Sequence, residues 1–217
     1  MAAFAHELKT PLTSIIGYAD APRSRRLDEE KQFMSANYIY TEGKRLEAMS
    51  FRLLDIMVTR RGEVEFTMVS AESLFLYLYD MYVINKSMKI YFNYDDGMVR
   101  AEANLIKSVL MNLLDNAFKA SEADGLIEVY GHLMKDGYCF EVKDHGVGIP
   151  KEELHKITKA FYMVDKSRSR SRNGAGLGLA LCAEILELHK SRLNIRSELG
   201  KGTTMSFTLP LWKEDQL

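Results

Sequence analysis

Apolar residues fall at Phe4, Leu8, Leu12, Ile15 and Ala19, spaced by 4, 4, 3 and 4. That period is one stripe of an amphipathic helix. It predicts a first helix over residues 1 to about 20, bent at Pro11, where a backbone N–H is missing, and broken over Ala21-Pro22-Arg23-Ser24-Arg25-Arg26. The pattern is already helical at Met1 with no capping residue before it, so we expect sequence upstream. A second long helix is predicted from Asp28 to Arg60. Asp28 suits the N-cap, and Glu29 and Glu30 suit the first turn, where the helix dipole favours carboxylates. Its seam is Phe33, Ala36, Ile39, Gly43, Leu46, Met49, Leu53, Ile56 and Met57, mostly at 3/4 spacing. Two such helices cannot bury both stripes alone. Four can, so a homodimer with an intermolecular four-helix bundle is expected. The competing arrangement packs both helices on the domain that follows.

After Arg61-Gly62-Glu63 the pattern becomes mixed. Strands are predicted at 66–69, 89–94, 126–134, 138–144, 192–197 and 203–209. Helices are predicted at 71–86, 102–121 and 175–189, with residues 145–175 mostly loop. Antiparallel strands grouped with helices on one face give an α+β sandwich. The expected domains are 1–61, the helical hairpin, and 66–212, the sandwich.

The chain has 217 residues, 47% of them hydrophobic, which is enough for two small cores. Its net charge of −1 argues against a nucleic-acid binder. Cys139 and Cys182 are far apart and lie in apolar patterns, so both are expected to be buried, reduced thiols of a cytoplasmic protein. The longest apolar run, Leu74 to Ile84, is interrupted by Asp80 and too short to span a bilayer.

Candidate chemistry sits at four places. His6 lies about 200° from the apolar stripe, at roughly 100° per residue, and is expected to be solvated and partly neutral, an available nucleophile. Thr10 shares its face. In the helix at 102–121, Asn112, Asn116 and Lys119 fall within about 60° of arc beside the apolar face of Ile106, Val109, Leu110, Leu113 and Ala117. Two amide oxygens and an ammonium there suit a magnesium–phosphate group. In Asp144-His145-Gly146-Val147-Gly148-Ile149-Pro150, Asp144 continues the inward parity of Tyr138, Phe140 and Val142. A carboxylate so placed wants a good donor, such as an adenine amino group, and Gly146 and Gly148 let backbone approach a flat ligand. A plain turn after a strand explains the same residues. Last, Asn173-Gly174-Ala175-Gly176-Leu177-Gly178 leads into a helix N-terminus, which offers N–H groups to phosphate. The Ser-Arg run before it, Ser167 to Arg172, reads as a basic lid.

Together these motifs resemble the bacterial two-component sensor histidine kinases, across almost the whole chain. His6-Glu7-Leu8-Lys9-Thr10-Pro11 is similar to the family's H box and Asn112 through Lys119 to its N box. Asp144 to Pro150 matches G1, Phe161 with the Tyr162-to-Arg170 stretch matches the F box, Gly174 to Leu179 matches G2, and Gly200-Lys201-Gly202-Thr203 matches the last glycine turn. The resemblance implies a dimeric phosphotransfer hairpin followed by an ATP-binding sandwich of the histidine kinase/gyrase type. His6 would be the phosphoacceptor, Glu7 its activator and Thr10 the residue that positions water for dephosphorylation of the partner. Asn112 and Asn116 would hold Mg²⁺, Lys119 would meet phosphate and Asp144 would read adenine. Gly146, Gly148, Phe161, Lys166, Arg168, Arg170, Gly174, Gly176, Leu177, Gly178 and Thr203 would complete the ATP site. The implied reaction is autophosphorylation of His6 by MgATP and transfer to an aspartate of a response regulator, with phosphatase activity on that regulator. The implied setting is a cytoplasmic kinase core whose full-length protein is anchored in the inner membrane through upstream sequence. Three positions depart from the family pattern: Ala120 where Tyr is frequent, Thr158 where an aromatic is expected, and Met163 where Arg is frequent. Competing readings are a gyrase-type ATPase or serine-directed kinase, which needs no His6 hairpin, and a degenerate module that only docks a partner.

Overall fold

The computed structural model describes residues 2–24, 27–43, 46, 64–82, 89–122, 124–160, 162–164 and 176–213, with backbone alone at 2–8. The helix α1 (Ala2–Ser24) contains both Pro11 and Pro22. The helix runs past the expected end near residue 20 and through Pro22, and it ends at Ser24, within the stretch expected to break it. Pro22 removes one backbone donor, and the Ser24 hydroxyl donates to the Ala21 carbonyl at 3.3 Å as the helix ends. Thr13 and Ser14 likewise donate to the carbonyls of Lys9 and Thr10, at 2.8 and 3.2 Å.

The second helix, α2, covers residues 29–43. Asp28 caps it as expected, its Oδ1 accepting the Lys31 N–H at 2.9 Å. The side-chain hydrogen bond from Lys31 holds this carboxyl below its ordinary range. Met49, Leu53, Ile56 and Met57 of the expected seam lie outside the described residues. Tyr18 stacks on Tyr38 with ring centroids 4.4 Å apart, joining α1 to α2. Pro11 and Ser35 are buried, and Ile15 and Ile39 half-buried, on that facing side. Leu12 (50% exposed) and Phe33 (75% exposed) point elsewhere, so the single apolar stripe expected on each helix is split between two directions. A helix stripe wide enough for two partners has that form.

The remaining elements are β1 (Thr67–Ser70), α3 (Ala71–Tyr82), β2 (Lys89–Tyr94), β3 (Met98–Ala101), α4 (Ala103–Ala120), β4 (Leu126–Met134), β5 (Gly137–Asp144), α5 (Gly178–Leu188), β6 (Asn194–Glu198) and β7 (Gly202–Leu209). A five-stranded sheet has the order β2-β4-β5-β7-β6, and β1 pairs with β3 apart from it. The sandwich was expected to be antiparallel throughout. Instead β2 and β4 pair in parallel, because the chain returns through α4 between them. β3 was not expected at all: its four residues carry no clear alternation, and its partner β1 is distant in sequence.

One face of the sheet carries the core. Tyr138, Phe140 and Val142 of β5 are buried against Leu110, Leu113 and Ala117 of α4, Leu74 and Phe75 of α3, and Leu181 and Ile185 of α5. Cys182 is fully buried in this core, whereas Cys139 has the opposite parity on β5 and is only half-buried. Both are free thiols, as expected. The helix α5 begins three residues later than the pattern implied. Gly176 has φ +66°, which takes the chain out of helical geometry just before it. Leu177, Leu181 and Ile185 then form the buried stripe.

Candidate functional site

The helix α4 forms the floor of the site. Its N-terminus is capped by Glu102, whose Oε2 accepts the Leu105 N–H at 2.6 Å. Asn112 and Asn116 are one turn apart on its flank and both half-buried. Asn112 donates through Nδ2 to the Ser108 carbonyl at 2.8 Å, which turns Oδ1 toward α5. A Cβ built on Gly178 would meet that Oδ1 at 2.7 Å, so the first residue of α5 lies directly over Asn112. The N-cap residue of α5, Leu177, gives no side-chain cap. Among the described residues no side chain caps its first N–H groups, and its positive dipole end lies beside Asn112.

The other end of the floor meets the glycine loop. The Val147 N–H donates to the Ala120 carbonyl at 3.2 Å, fastening the loop to the last turn of α4. Asp144 is 5% exposed, and its Oδ1 accepts two backbone N–H groups, from Gly146 at 2.8 Å and Thr203 at 3.2 Å. Burial pushes its carboxyl above the usual range, against the downward pull of those two donors. No described residue donates to Oδ2. Gly148 and Gly202 are required here: φ is +66° and +101°, and a Cβ would meet the carbonyl oxygens of Glu198 and Asp144 at 2.1 Å each. From Asn112 to Ala120 is about 12 Å along the helix at 1.5 Å per residue, room for an extended ligand with a flat end and an anionic end.

The amide of Asn116 lies between those two ends. Its Nδ2 is buried and has no hydrogen-bond partner among the described residues. An amide orphaned in this way costs about 1–3 kcal/mol unless a ligand satisfies it. Rotation about χ2 presents Oδ1 instead, a hard oxygen suited to a cation. Donor chemistry, dipole and orphaned amide all fit a magnesium nucleotide.

The structure brings together Asn112, Asn116, Lys119, Asp144, Gly146, Gly148, Gly178 and Thr203. Two of the expected contacts change character. Leu177 is fully buried, so only its backbone can serve a ligand. The Thr203 hydroxyl bonds the Ser197 hydroxyl at 2.9 Å, so Thr203 acts on Asp144 through its N–H. His6 and Glu7 lie on α1 with side chains outside the described residues, and Thr10 is exposed. Phe161, Lys166, Arg168, Arg170 and Gly174 lie outside the described residues. Met163 is half-buried; beside it, Tyr162 donates its hydroxyl to Glu153, which also takes Lys156 at 3.1 Å.

Ser197 was not expected. Its hydroxyl accepts the Ile149 N–H at 2.8 Å and donates to the Gly202 carbonyl at 2.9 Å, locking the glycine loop to the β6–β7 turn. Nothing in local sequence marks it, since the two segments it joins are 48 residues apart. His145 turns the other way, its ring 2.8 Å from Glu128 on the outer sheet face. Lys143, then Tyr130 and His145, hold the Glu128 carboxyl at about 2.

Comparison with known proteins matches residues 101–213, more than half of the chain, to the histidine kinase-, DNA gyrase B- and HSP90-like ATPase family. Residues 1–57 match the His Kinase A (phospho-acceptor) domain. Sporulation kinase C of Bacillus subtilis is 30% identical over 97% of this chain and 48% of its own length. The sensor histidine kinase WalK of the same organism is 30% identical over 100% of this chain and 37% of its own. The chain thus spans about a quarter to a half of the length of the curated relatives it matches. Among solved structures, histidine kinase ThkA in complex with the response regulator protein TrrA superposes with a TM-score of 0.76 at 24% identity, over 99% of this chain and 62% of that one, a likeness of fold. No helix among the described residues is long and apolar enough to cross a membrane.

Proposed function

This chain belongs to the sensor histidine kinases, carrying their phospho-acceptor and ATPase domains, and from that premise we propose that it phosphorylates its own His6 from MgATP. The observation that carries the reading is the α4 flank: an orphaned buried Asn116 amide between an uncapped helix N-terminus and a buried carboxylate. Asp144 Oδ2 accepts the adenine amino group, with Oδ1 already held by Gly146 and Thr203. The phosphates lie toward Asn112, Lys119 and the N–H groups opening α5. Asn112 and Asn116 offer the oxygens for Mg²⁺, which when bound neutralises phosphate charge. Their place in the F-box and glycine motifs supports assigning Phe161, Lys166, Arg168, Arg170, Gly174 and Gly176 to the nucleotide site as well.

The chemical step is an in-line displacement. An imidazole nitrogen of His6 forms a bond to the γ-phosphorus while the bond to the β,γ-bridging oxygen breaks, and ADP leaves with that electron pair. Glu7 accepts the N–H of the other ring nitrogen and stabilises the developing imidazolium. The protein supplies positioning and charge more than covalent chemistry. The phosphoryl group then passes to an aspartate of a response regulator, and Thr10 positions water when the regulator is dephosphorylated. We assign residues 1–61 to the dimerising hairpin and 66–212 to the ATP-binding domain. The open faces of Leu12, Ile16 and Phe33 supply the apolar area for a four-helix dimer. The kinase core works in the cytoplasm, and the full-length protein is anchored in the membrane by segments beyond this chain.

The test is incubation with γ-labelled MgATP, comparing the chain with His6→Ala. Acid-labile, base-stable label that disappears in His6→Ala is expected. Acid-stable label, or label surviving in His6→Ala, would overturn the assignment.

A further inference from the structure

The nucleotide floor has a second fastening, at the far end from the glycine loop. The helix α5 runs antiparallel along α4. Gly178 lies over Asn112, Cys182 Sγ reaches the Val109 carbonyl at 3.8 Å, and His189 meets Glu102. His189 is the C-cap residue of α5 and is 3% exposed. Its Nε2 lies 3.2 Å from the Glu102 N–H, and its Nδ1 lies 2.7 Å from the Ile185 carbonyl. A backbone N–H can only donate, so Nε2 accepts. Nδ1 therefore carries the proton and donates to Ile185. Both ring nitrogens are satisfied only in this neutral tautomer.

Glu102 is also the cap of α4: its Oε2 takes the Leu105 N–H and its Oε1 the Asn104 amide at 3.3 Å. One residue thus joins the N-terminus of α4, through its side chain, to the C-terminus of α5, through its main chain. The joint is over-determined. Lys190, next after His189, has φ +56°, and the Lys190 and Ser191 N–H groups turn back to Glu187 and Leu186 at 2.9 and 2.8 Å. Lys190 is held in that left-handed conformation without being glycine, a backbone strain that the joint keeps in place.

We propose that His189 is a positioning residue for the nucleotide site: neutral, it latches α5 to the cap of α4, and its protonation releases the latch and weakens ATP binding in acid. This rests on the ATP reading above. A proton on Nε2 sets two donors against each other across a buried contact. Burial lowers the pKa of the ring; of the charged groups that face it, Glu102 from the α4 cap raises it and Arg100 from β3 lowers it. Phe66 covers it edge-on at 5.0 Å, carries the Arg100 guanidinium 4.8 Å over its own ring, and is preceded by Glu65, which is exposed. If Glu102 turns its carboxylate to the imidazolium, α4 loses its cap. In either event α5 gains freedom over α4. The clearance between Gly178 and Asn112 is less than one methyl group, so a small shift of α5 displaces the phosphate-facing N–H groups from the Asn pair.

The experiment titrates the full chain with MgATP by calorimetry between pH 7.5 and 5.5, beside His189→Gln. Gln can accept the Glu102 N–H through Oε1 and does not titrate. Asp144 and the nucleotide phosphates change charge equally in both proteins, so the difference between profiles reports His189. Burial holds the His189 pKa below its ordinary value, so the loss emerges at the acid end: by pH 5.5 wild-type affinity is expected to fall severalfold, and less than tenfold, further than that of His189→Gln, with the two within about threefold at pH 7.5. Superimposable profiles overturn the proposal. No ATP binding by either protein at pH 7.5 overturns the nucleotide reading itself, and the proposal with it. A ligand-free measurement stands if the Gln variant does not fold. In the wild-type protein the Glu102 amide proton and the His189 ring protons are expected to titrate together by NMR, and independent titration also overturns the latch.

Discussion

Asp144→Asn separates what this carboxylate does for binding from what it does to stability. The two backbone donors on Oδ1, at 2.8 and 3.2 Å, can be accepted equally by an amide oxygen, so the fold keeps both hydrogen bonds. What changes is the other atom. The ionised Oδ2 becomes an NH₂ facing the adenine NH₂, donor against donor. A hydrogen bond to a charged group contributes about 1.5–3 kcal/mol, so ATP affinity should fall by roughly 10- to 150-fold. Stability should move the opposite way. Burial is the main cause of the raised carboxyl pKa of Asp144, so the native state carries a penalty for its ionised form. A carboxyl raised above its unfolded value leaves native stability intact below the unfolded pKa and erodes it as pH rises through the folded one. The variant has no such erosion. Its melting temperature should therefore exceed wild type at pH 7.5, and the gap should close toward pH 4. Calorimetric titration and thermal unfolding at both pH values measure the two effects. Affinity within threefold of wild type would refute the assignment of Oδ2 to the ligand, and a variant less stable than wild type at pH 7.5 would refute the burial penalty.

Asn116→Ala removes an amide whose Nδ2 has no partner among the described residues, so the melting temperature should stay within about 2 °C while autophosphorylation becomes undetectable; a large loss of stability in thermal unfolding would show that the amide is structural. Gly202→Ala meets the Asp144 carbonyl at 2.1 Å from a backbone with φ +101°, and urea unfolding should show a loss of roughly 3 kcal/mol or more. Ile16→Glu with Phe33→Glu places charge on the open hairpin face and should give a monomer by sedimentation, with ATP affinity unchanged because neither residue touches the sandwich site. Met163→Arg restores the cation frequent in the family and should raise the labelling rate about tenfold if it meets phosphate; an unchanged rate would show that the basic run from Lys166 already serves.

The legible parts of the sandwich were those whose signal is local. Tyr138, Phe140, Val142 and Asp144 alternate on one strand, and their common inward side follows from the pleat alone. The buried stripe of α4 and the placing of Asn112 and Asn116 beside it follow from 3.6-residue periodicity. What was not legible depends on pairs closed by the fold. β3 exists because β1 is there to pair with it. Ser197 matters because β6 carries it beneath a loop 48 residues earlier in the chain. His189 read only as the last residue of a helix, until Glu102, 87 residues before it, supplied its partner.

These cross-chain fastenings also explain how a motif-level match can coexist with large sequence divergence. Val147 to Ala120, Ile149 to Ser197, Thr203 to Asp144 and Glu102 to His189 each use at least one backbone group. A backbone group is indifferent to the residue that carries it, so the geometry of the glycine loop tolerates substitution wherever a Cβ fits. Identity is forced only where a Cβ does not fit, as at Gly148 and Gly202, or where a side chain supplies the chemistry, as at Asn116 and Asp144. His189 falls outside both groups. It is held on both ring nitrogens, and the nitrogen that accepts the Glu102 N–H becomes a donor on gaining a proton. A purely structural joint needs no titratable group, which is why the pH profile, and not stability alone, is the measurement that tells a latch from a brace.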